Sequence, residues 1–488
     1  MQTTSQHKQL INNKISNNKF EKITRTFPTF KRVNISLIKR QFIDYIMNLS
    51  ANHFKKYLLI YFLLFITPQL NFGQATSTKF NNLYQLIASK DFFTARDLFK
   101  VNKTFLNAHE QLFILAILDN AFNRPIASNK KIALLNTATE KLTDTLRLKI
   151  RRIQEDNFVK LKDYDGAKQT TQKILLEFDP LLSTDTRADL RNNLKIWSAL
   201  DHVKPQLIQI NDDTRLKMTK DKAGLKNLKV EVNGDTASFI FDTGANLSTV
   251  SESVAKRLHM DMIPADIDVD AITGIAIKAD LAVCKQLKLG NISISNAIFL
   301  VFPDSALYIP QIGYQINGII GFPVIEALQE VQLTQDDFFI VPKRPTVTKK
   351  ASNLAIDGLS PLIAIDGKHY TFDTGAENTI LYAPFYETYK QHIEKYGIPT
   401  KVAMGGAGGN VEYDGFVIQH TFHIGDKPIA LKKINLLKSK IKNETVYGNI
   451  GQDIIRQFSK MTLNFKDMFI ILINRNLKLK WIKRKPQI

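Results

Sequence analysis

The sequence predicts a multidomain protein in which an all-α segment precedes two related all-β lobes. The pentapeptide Phe-Asp-Thr-Gly-Ala occurs at Phe241–Ala245 and again at Phe372–Ala376. Each copy follows an apolar run that is interrupted by a tight-turn pair, a pattern typical of a β-hairpin. Residues 79–202 instead carry apolar side chains at helical spacing, which indicates α-helices before the first lobe.

The helical segment contains a weak internal repeat. The hexapeptide Lys90–Ala95 is similar to Lys162–Ala167, at an offset of 72 residues. Two units of about 34 residues give nearly this offset, which predicts a tetratricopeptide-like helical array. An unrelated helical bundle explains the same spacing equally well. We expect this domain to dock a protein partner, to position substrate or to cover a cleft.

The turn pairs before the two pentapeptides predict matching hairpins. Asn233-Gly234 separates two apolar runs before the first copy, and Asp366-Gly367 does so before the second. Both pairs favour a tight hairpin turn, because asparagine, aspartate and glycine accept a positive φ angle. We therefore expect each pentapeptide to begin at the end of a β-strand.

A second repeated signal follows each pentapeptide. Gly318–Gly321 begins 76 residues after Asp242, and Gly448–Gly451 begins 75 residues after Asp373. Both tetrapeptides continue into apolar residues, and their candidate positions are Ile320, Gly321, Ile450 and Gly451. Two signals repeated in the same order at matching spacing indicate an internal duplication with a period of about 131 residues.

The repeated Asp-Thr-Gly turn places a carboxylate at a rigid strand end. If the two lobes pack about a pseudo-twofold axis, Asp242 and Asp373 meet and share a proton. The ionised member of such a pair can draw a proton from water while the protonated member hydrogen-bonds to a carbonyl oxygen. The alternative is that each aspartate only caps its turn. The predicted supporting residues are the threonine and glycine of each copy: Thr243, Gly244, Thr374 and Gly375.

These motifs resemble those of the aspartic peptidases, in the clan that joins retroviral proteases to pepsin. The apolar-Asp-Thr-Gly-Ala motif matches at both copies, whereas the apolar-apolar-Gly motif is altered by Asn449 in the second. The resemblance covers Leu228–Ile473, about half of the chain. It implies a bilobal acid-peptidase fold with two retropepsin-like lobes in one chain, in which Asp242 and Asp373 are catalytic.

The resemblance also implies a β-hairpin flap over the cleft. The candidate flap of the first lobe contains Thr273 and Gly274. In the second lobe the candidates are the glycines Gly405, Gly406, Gly408 and Gly409. An ordinary flexible loop is the alternative at both places. No Gly-Lys-Ser/Thr follows the glycine-rich run, so a phosphate-binding loop is disfavoured.

Charge and cysteine content exclude several other classes. The net charge of +20 includes +9 from residues 1–56, and no nucleic-acid-binding motif accompanies it. A basic face toward an anionic lipid or polymer is the alternative to simply solvated charge. Cys284 is the only cysteine, so no intrachain disulfide can form, and we expect an inert buried thiol. We expect no catalytic metal and no cofactor, because the sequence has no zinc-binding motif.

A targeting signal is predicted near the amino terminus. Lys55-Lys56 precedes ten apolar residues, 57–66, and the small residue Gly73 precedes Gln74. This is the pattern of a secretory signal peptide at 47–73. We expect translation to begin at Met47 and the protein to be exported, periplasmic or secreted. A signal anchor at 57–72 is the alternative, and it provides the sole predicted membrane attachment.

The sequence divides into segments of different composition. A Pro-containing stretch around Pro205 links the helical domain to the first lobe, and a basic, proline-bearing connector follows that lobe. The predicted domains are the leader 1–73, the helical domain 74–204, the first lobe 205–341, the linker 342–353, the second lobe 354–476 and the basic tail 477–488.

Two functions are compatible with this organisation. The first is an aspartic endopeptidase that acts on protein or peptide substrates. The second is a catalytically silent peptide-binding or scaffold protein that uses the helical array and the cleft between the lobes. Two intact Asp-Thr-Gly turns favour the enzyme. The sequence does not reveal the substrate, the cleavage specificity or the pH optimum, because the residues that form the pockets come from distant strands and loops.

Overall fold

The computed structural model describes residues 78–137, 142–270, 276–348, 351–406, 409–424, 427–441 and 444–473. These residues all belong to one compact unit, Thr76–Ile488. The predicted signal segment at 47–73, the predicted tail at 477–488 and the candidate flap residues Thr273, Gly274 and Gly408 lie outside the described residues. Within the described ranges, no helix has both the length and the apolar character needed to cross a membrane.

Residues 78–200 form a helical domain, as the apolar spacing predicts. Polar side chains begin several of its helices; Asn107, for example, accepts from the backbone N–H of Glu110, whose carboxylate accepts from Asn107 N–H. The helices are α1 (Thr78–Ala88), α2 (Phe92–Asn102), α3 (Ala108–Ala121), α4 (Pro125–Thr137), α5 (Asp144–Lys160), α6 (Tyr164–Glu177) and α7 (Thr184–Leu200), with short 3-10 turns at Lys103–Phe105 and Asp179–Leu181.

The two similar hexapeptides form the same local structure. Lys90 and Lys162 have φ angles of 65° and 60°, in the left-handed region. The next residue in each case caps a helix: Asp91 accepts from Thr94 N at 3.0 Å, and Asp163 accepts from Gly166 N at 2.9 Å. Each hexapeptide therefore ends one helix and begins its antiparallel neighbour. The tetratricopeptide-like array stays a prediction.

Residues 207–473 form a β-rich region with a few short helices. The strands before the linker are β1 (Leu207–Ile210), β2 (Thr214–Lys217), β3 (Thr219–Lys220), β4 (Lys226–Val232), β5 (Asp235–Phe241), β6 (Ser248–Ser251), β7 (Asp261–Asp270), β8 (Ala276–Leu289), β9 (Ile292–Phe302), β10 (Tyr308–Ile309), β11 (Tyr314–Gln315), β12 (Gly318–Ile320), β13 (Glu330–Thr334) and β14 (Phe338–Val341). The helices among them are α8 (Glu252–Arg257) and α9 (Phe322–Ala327), with 3-10 turns at Asp304–Leu307 and Pro310–Ile312.

The strands after the linker are β15 (Leu354–Asp357), β16 (Ser360–Ile365), β17 (Lys368–Phe372), β18 (Ile380–Leu381), β19 (Ile398–Gly406), β20 (Gly409–Ile424), β21 (Lys427–Leu437), β22 (Gly448–Ile450), β23 (Lys460–Asn464) and β24 (Phe469–Ile473). The helices among them are α10 (Ala383–Tyr396) and α11 (Gln452–Ile455). We call the sheet around β5 the first β half and the sheet around β17 the second β half.

The two halves share a local topology. The main path of the first sheet runs β1-β9-β6-β12-β5-β4-β8-β7, and that of the second runs β15-β16-β17-β22-β18-β21-β20-β19. In the first half β12 lies parallel to β5, with Ile320 opposite Phe241. In the second half β22 lies parallel to β17, with Ile450 opposite Phe372. Each second motif is therefore the strand beside its own pentapeptide.

The predicted hairpins before both pentapeptides are confirmed. Asn233 and Gly234 have φ angles of 50° and 98° between β4 and β5, and Asp366 and Gly367 have 51° and 70° between β16 and β17. Two consecutive positive φ angles match the type I′ turn, whose twist suits the flanking strands. These turns fix the register in which each strand reaches its Asp-Thr-Gly sequence.

A third sheet joins the two halves. Its order is β2-β14-β13-β23-β24, and β13 from before the linker pairs antiparallel with β23 from after it. At this seam the buried Glu330 accepts from Asn464 Nδ2 at 2.8 Å and from Thr346 N at 2.6 Å. A buried carboxylate with such donors is compensated for lost hydration. The two halves are thus held together by backbone pairing as well as by packing.

The helical domain is anchored to the first β half along β7. Asn192 on α7 donates to Asp268 O at 2.7 Å and accepts from Asp268 N at 2.8 Å, so its amide side chain pairs with this outer strand. Trp197 and Ile196 pack in one apolar cluster with Ile267 of β7. The apolar contacts and the paired amide together fix α7 against the sheet.

Candidate active site

Both aspartates lie at the ends of parallel-paired strands. Asp242 follows β5, and its backbone N–H donates to Ile320 O at 3.2 Å. Asp373 follows β17, and its N–H donates to Ile450 O at 3.0 Å. The strand of the second motif therefore holds the backbone of each aspartate in the same way. The strand pairing within each half therefore positions the backbone of its aspartate, independently of contacts between the halves.

Reciprocal hydrogen bonds between two buried threonines connect the halves. Thr243 N donates to Thr374 Oγ1 at 3.0 Å, and Thr374 N donates to Thr243 Oγ1 at 3.0 Å. Each hydroxyl also donates across the seam, from Thr243 to Phe372 O at 2.9 Å and from Thr374 to Phe241 O at 3.1 Å. Because each hydroxyl accepts one bond and donates another, the two turns are locked face to face.

The glycine of each turn provides the space for the opposing carboxylate. A Cβ atom at Gly244 would lie 2.6 Å from Cγ of Asp373, and one at Gly375 would collide in the same way with Asp242. Neither glycine has a positive φ angle, so close approach rather than backbone conformation requires it. The structure therefore brings Asp242, Asp373, Thr243, Thr374, Gly244 and Gly375 into one cluster.

The two carboxylates have unequal surroundings. Burial raises the pKa of Asp242 well above its usual range, and the negative charge of Asp373 and a hydrogen bond to it raise this pKa further. Asp373 accepts from Gly375 N at 2.8 Å, from Ala376 N at 3.0 Å and from Asn449 Nδ2 at 3.0 Å. Asp242 likewise accepts from Gly244 N at 2.8 Å, but the apolar Ile319 occupies the position in β12 that matches Asn449 and provides no amide donor there. This asymmetry favours the protonated form of Asp242.

The glycines of the second motif support the loop after each turn. A Cβ at Gly321 would lie 2.6 Å from Ser248 N, and one at Gly451 would lie 2.7 Å from the Asn378 carbonyl carbon. Their backbone N–H groups donate to Ser248 Oγ at 3.0 Å and to Thr379 Oγ1 at 3.1 Å. Ile320 and Ile450 are buried beside them. Glycine at these two places allows the loop to pack directly on the motif.

Hairpins occur at both candidate flap positions. In the second half β19 and β20 pair along their length, with Gly405 opposite Asn410 and Gly406 opposite Gly409. In the first half β7 and β8 pair antiparallel, and Thr273 and Gly274, between them in the sequence, lie outside the described residues. The β-hairpin form of the glycine-rich segment is thus confirmed for its described residues, and its action as a flap stays a prediction.

Two side-chain amides that support the second-half turn are not predicted as site residues from the sequence. Asn449 was visible as a departure from an apolar motif, but its contact with Asp373 depends on the register of β22 against β17. Gln452 is buried, and its Nε2 donates to Thr374 O at 2.8 Å. Its position directly after Gly451 was the available signal. Both amides support the second-half turn.

Metal-binding clusters and the thiol of Cys284 are the other places where chemistry is conceivable. In the part of the chain that the structure describes, no group of three or more His, Cys, Asp or Glu residues could hold a metal ion. Cys284 is buried, as predicted, and burial raises the pKa of its thiol to about 12. A thiol with such a pKa is a poor nucleophile near neutral pH.

Comparison with known proteins is consistent with this cluster. Residues 228–324 match a family model described as "Aspartyl protease", a range that includes Asp242 and Gly321 and ends before Asp373. A retropepsin-like aspartic protease from Rickettsia conorii aligns at 15% identity over 28% of this chain and 91% of its own, with a TM-score of 0.19. No curated protein matches the chain. The family match supports an aspartic protease family over residues 228–324.

Proposed function

We propose that this protein is an aspartic endopeptidase in which Asp242 and Asp373 activate water to hydrolyse peptide bonds. In this proposal the first and second β halves are two retropepsin-like lobes of one chain. The observation that carries the proposal is the pair of Asp-Thr-Gly turns cross-linked through Thr243 and Thr374, which places one carboxylate opposite the other.

The unequal surroundings of the two carboxylates assign their starting roles. Asp373, with its additional donor from Asn449, starts as the ionised general base and takes a proton from the attacking water. Asp242, whose pKa is raised by burial and by Asp373, starts protonated and hydrogen-bonds to the scissile carbonyl oxygen. Attack gives a tetrahedral intermediate, and the proton taken from water passes to the leaving amine. No covalent bond to the enzyme is needed.

The geometry favours an enzyme over a silent peptide-binding or scaffold protein. Two carboxylates held this close repel each other when both ionise, and burial adds a desolvation cost. A protein that only binds peptides has no use for this unfavourable pair, since Asn at one position would relieve it. A shared proton has a direct use in hydrolysis, because it supplies both an acid and a base at the same centre.

Cleavage of a mixed peptide library by the full chain tests this proposal. The library is incubated at a series of acidic to neutral pH values, and new amino termini are measured by mass spectrometry. We expect cleavage by the wild type and by Asp235→Asn, which removes an exposed carboxylate at the start of β5, next to the hairpin turn. Asp242→Asn and Asp373→Asn should not cleave. A library left intact by the folded wild type across this pH range would contradict the proposal.

A further inference from the structure

A large cavity lies between the helical domain and the two β halves. Its volume is about 1140 Å³, and its walls come from α1, α5 and α7 on one side and from β7, β9 and the turn after β15 on the other. Small-molecule sites typically enclose about 300–1,000 Å³. This cavity therefore has room for a segment of peptide chain.

The cavity adjoins the candidate active site. Asn246 and Leu247 line it, and Asn246 follows Asp242 by only four positions. Four residues span at most about 14 Å, so this edge of the cavity lies within that distance of the Asp242 backbone. Ser360 Oγ donates to Asn246 Oδ1 at 3.2 Å and joins the second half to this edge. This edge of the cavity therefore lies close to Asp242 along the chain, and both β halves contribute to it.

Most acidic side chains of the cavity already have partners. Glu155 accepts hydrogen bonds from Thr171, Asn193 and Trp197, and burial raises its pKa toward the neutral form. The remaining paired carboxylates contact lysines: Asp357 with Lys90 at 2.6 Å, Asp156 with Lys160 at 2.7 Å, and Asp268 with Lys278 at 2.7 Å and Lys195 at 3.0 Å. These groups leave little uncompensated negative charge, apart from the exposed Asp189.

Two cations of the cavity have no such partner. Lys149 and Arg152 lie three positions apart on α5, so their side chains project from the same face of the helix. Among the described residues, neither makes a hydrogen bond or an ion pair. Lys149 is half-buried, and burial lowers its pKa, although the nearby carboxylates of Asp357 and Asp156 act in the opposite direction. Lys149 is therefore a half-buried cation without a direct hydrogen-bonded partner in the described part of the chain, and a bound anion beside it and the exposed Arg152 would compensate its lost hydration.

We propose that this cavity is an extension of the substrate cleft, in which Lys149 and Arg152 bind a carboxylate of the peptide substrate. The carboxylate is either the C-terminal group of the peptide or an acidic side chain. This inference rests on the proposed peptidase function and names a substrate preference for it. The helical domain then acts as part of the substrate site.

Binding of labelled decapeptide pools to the full-length Asp242→Asn protein tests this inference without turnover. One pool has a free C-terminal carboxylate, a second is amidated and contains Gln at one varied position, and a third is amidated with Glu there. We expect tighter binding of a carboxylate-bearing pool than of the amidated Gln pool. The double variant Lys149→Gln, Arg152→Gln should weaken binding of the carboxylate-bearing pool by about tenfold or more. Losing one hydrogen bond to a charged group is enough to lower affinity by about this factor.

Arg151→Gln is the matched control, because it removes one cation from the same helix outside the cavity lining. It should leave binding of every pool unchanged. The pair Lys149→Arg and Arg152→Lys keeps both charges and should retain the preference. Arg152→Gln alone changes an exposed residue and should weaken binding of the carboxylate-bearing pool. Unfolding temperatures of all variants are measured in parallel.

The outcomes distinguish a C-terminal carboxylate from an acidic side chain as the bound group. They also separate failure of the carboxylate site from failure of the proposed peptidase function. Preference for the free-terminus pool identifies the C-terminal carboxylate, and preference for the Glu pool identifies an acidic side chain. Equal binding of all three pools, or equal weakening by Arg151→Gln, would overturn the inference. Library cleavage without any carboxylate preference overturns this inference alone, whereas absence of cleavage despite selective binding overturns the peptidase function and leaves the carboxylate site standing.

Discussion

Replacing Asn449 with isoleucine should move the acidic side of the pH–activity profile to higher pH. The substitution copies Ile319, which fills the matching position in the first β half. It removes the hydrogen bond from Asn449 Nδ2 to Asp373 Oδ2, a contact of 3.0 Å. Without this donor the singly ionised carboxylate pair is less stable, so the pair loses its first proton at a higher pH.

The strength of the lost hydrogen bond sets the size of this shift in the acidic limb. A hydrogen bond to a charged group contributes about 1.5–3 kcal/mol, and both partners here are partly exposed, which favours the lower end of that range. About 1.4 kcal/mol corresponds to one pH unit. Thr371 Oγ1 holds Asn449 Oδ1 at 2.7 Å and so orients the amide, and Thr371→Val should therefore give a smaller shift in the same direction.

The assay is kcat/KM for a cleaved library peptide at half-unit pH steps. We expect the acidic limb of the profile for Asn449→Ile to move to higher pH by about one unit, with little change in the alkaline limb. The unfolding temperature of each variant shows whether the fold is intact. An acidic limb that coincides with that of the wild type in a folded Asn449→Ile protein would refute the assigned role of Asn449 and the charge placement on Asp373.

Three further predictions concern stability, assembly and export. The pKa of Asp242 is raised in the folded protein above its unfolded value of about 3.8. Its contribution to the free energy of unfolding is therefore fully present below about pH 3.8, and it is lost as the pH rises through the pKa of the folded state. Asp242→Asn should therefore raise the unfolding temperature relative to wild type at pH 7.5 and not at pH 3.5; an equal effect at both values would contradict the burial argument. Both carboxylates lie on one chain, so specific activity should not fall on dilution, and a steep loss would indicate a site assembled between chains. N-terminal sequencing of protein from the native host should find a start near Gln74, and recovery of intact residues 1–46 in cytosolic protein would contradict export.

The local part of the site is predictable from sequence because adjacent residues determine it. The turn pairs at Asn233 and Asp366 specify hairpins through their tolerance of positive φ, and the structure has both. The hairpins deliver each pentapeptide to a strand end, where the predicted duplication places Asp242 and Asp373 in equivalent positions. The same motif predicts Gly244. The physical reason that glycine is needed there is the close approach of the Asp373 carboxylate, which is visible only in the folded chain.

The remaining features depend on contacts between distant residues. Asn449 reads in sequence as a flaw in an apolar motif, and only the strand register turns it into a hydrogen-bond donor for Asp373. Likewise, helical spacing predicts α7 but not the pairing of Asn192 with the backbone of Asp268. The cavity with Lys149 follows from that packing. No local pattern encodes it, because its walls come from helices and strands far apart in the chain.

The carboxylate pair is tested most directly by a double-mutant cycle. Purified Asp242→Asn, Asp373→Asn and the double variant are compared with wild type in kcat/KM on one library peptide, with folding checked by unfolding temperature. If the pair acts as a unit, each single change should lower kcat/KM by about a thousandfold or more, and the double variant should be scarcely worse than either. Substantial activity in either folded single variant, or losses that multiply in the double variant, would contradict hydrolysis by a shared-proton dyad.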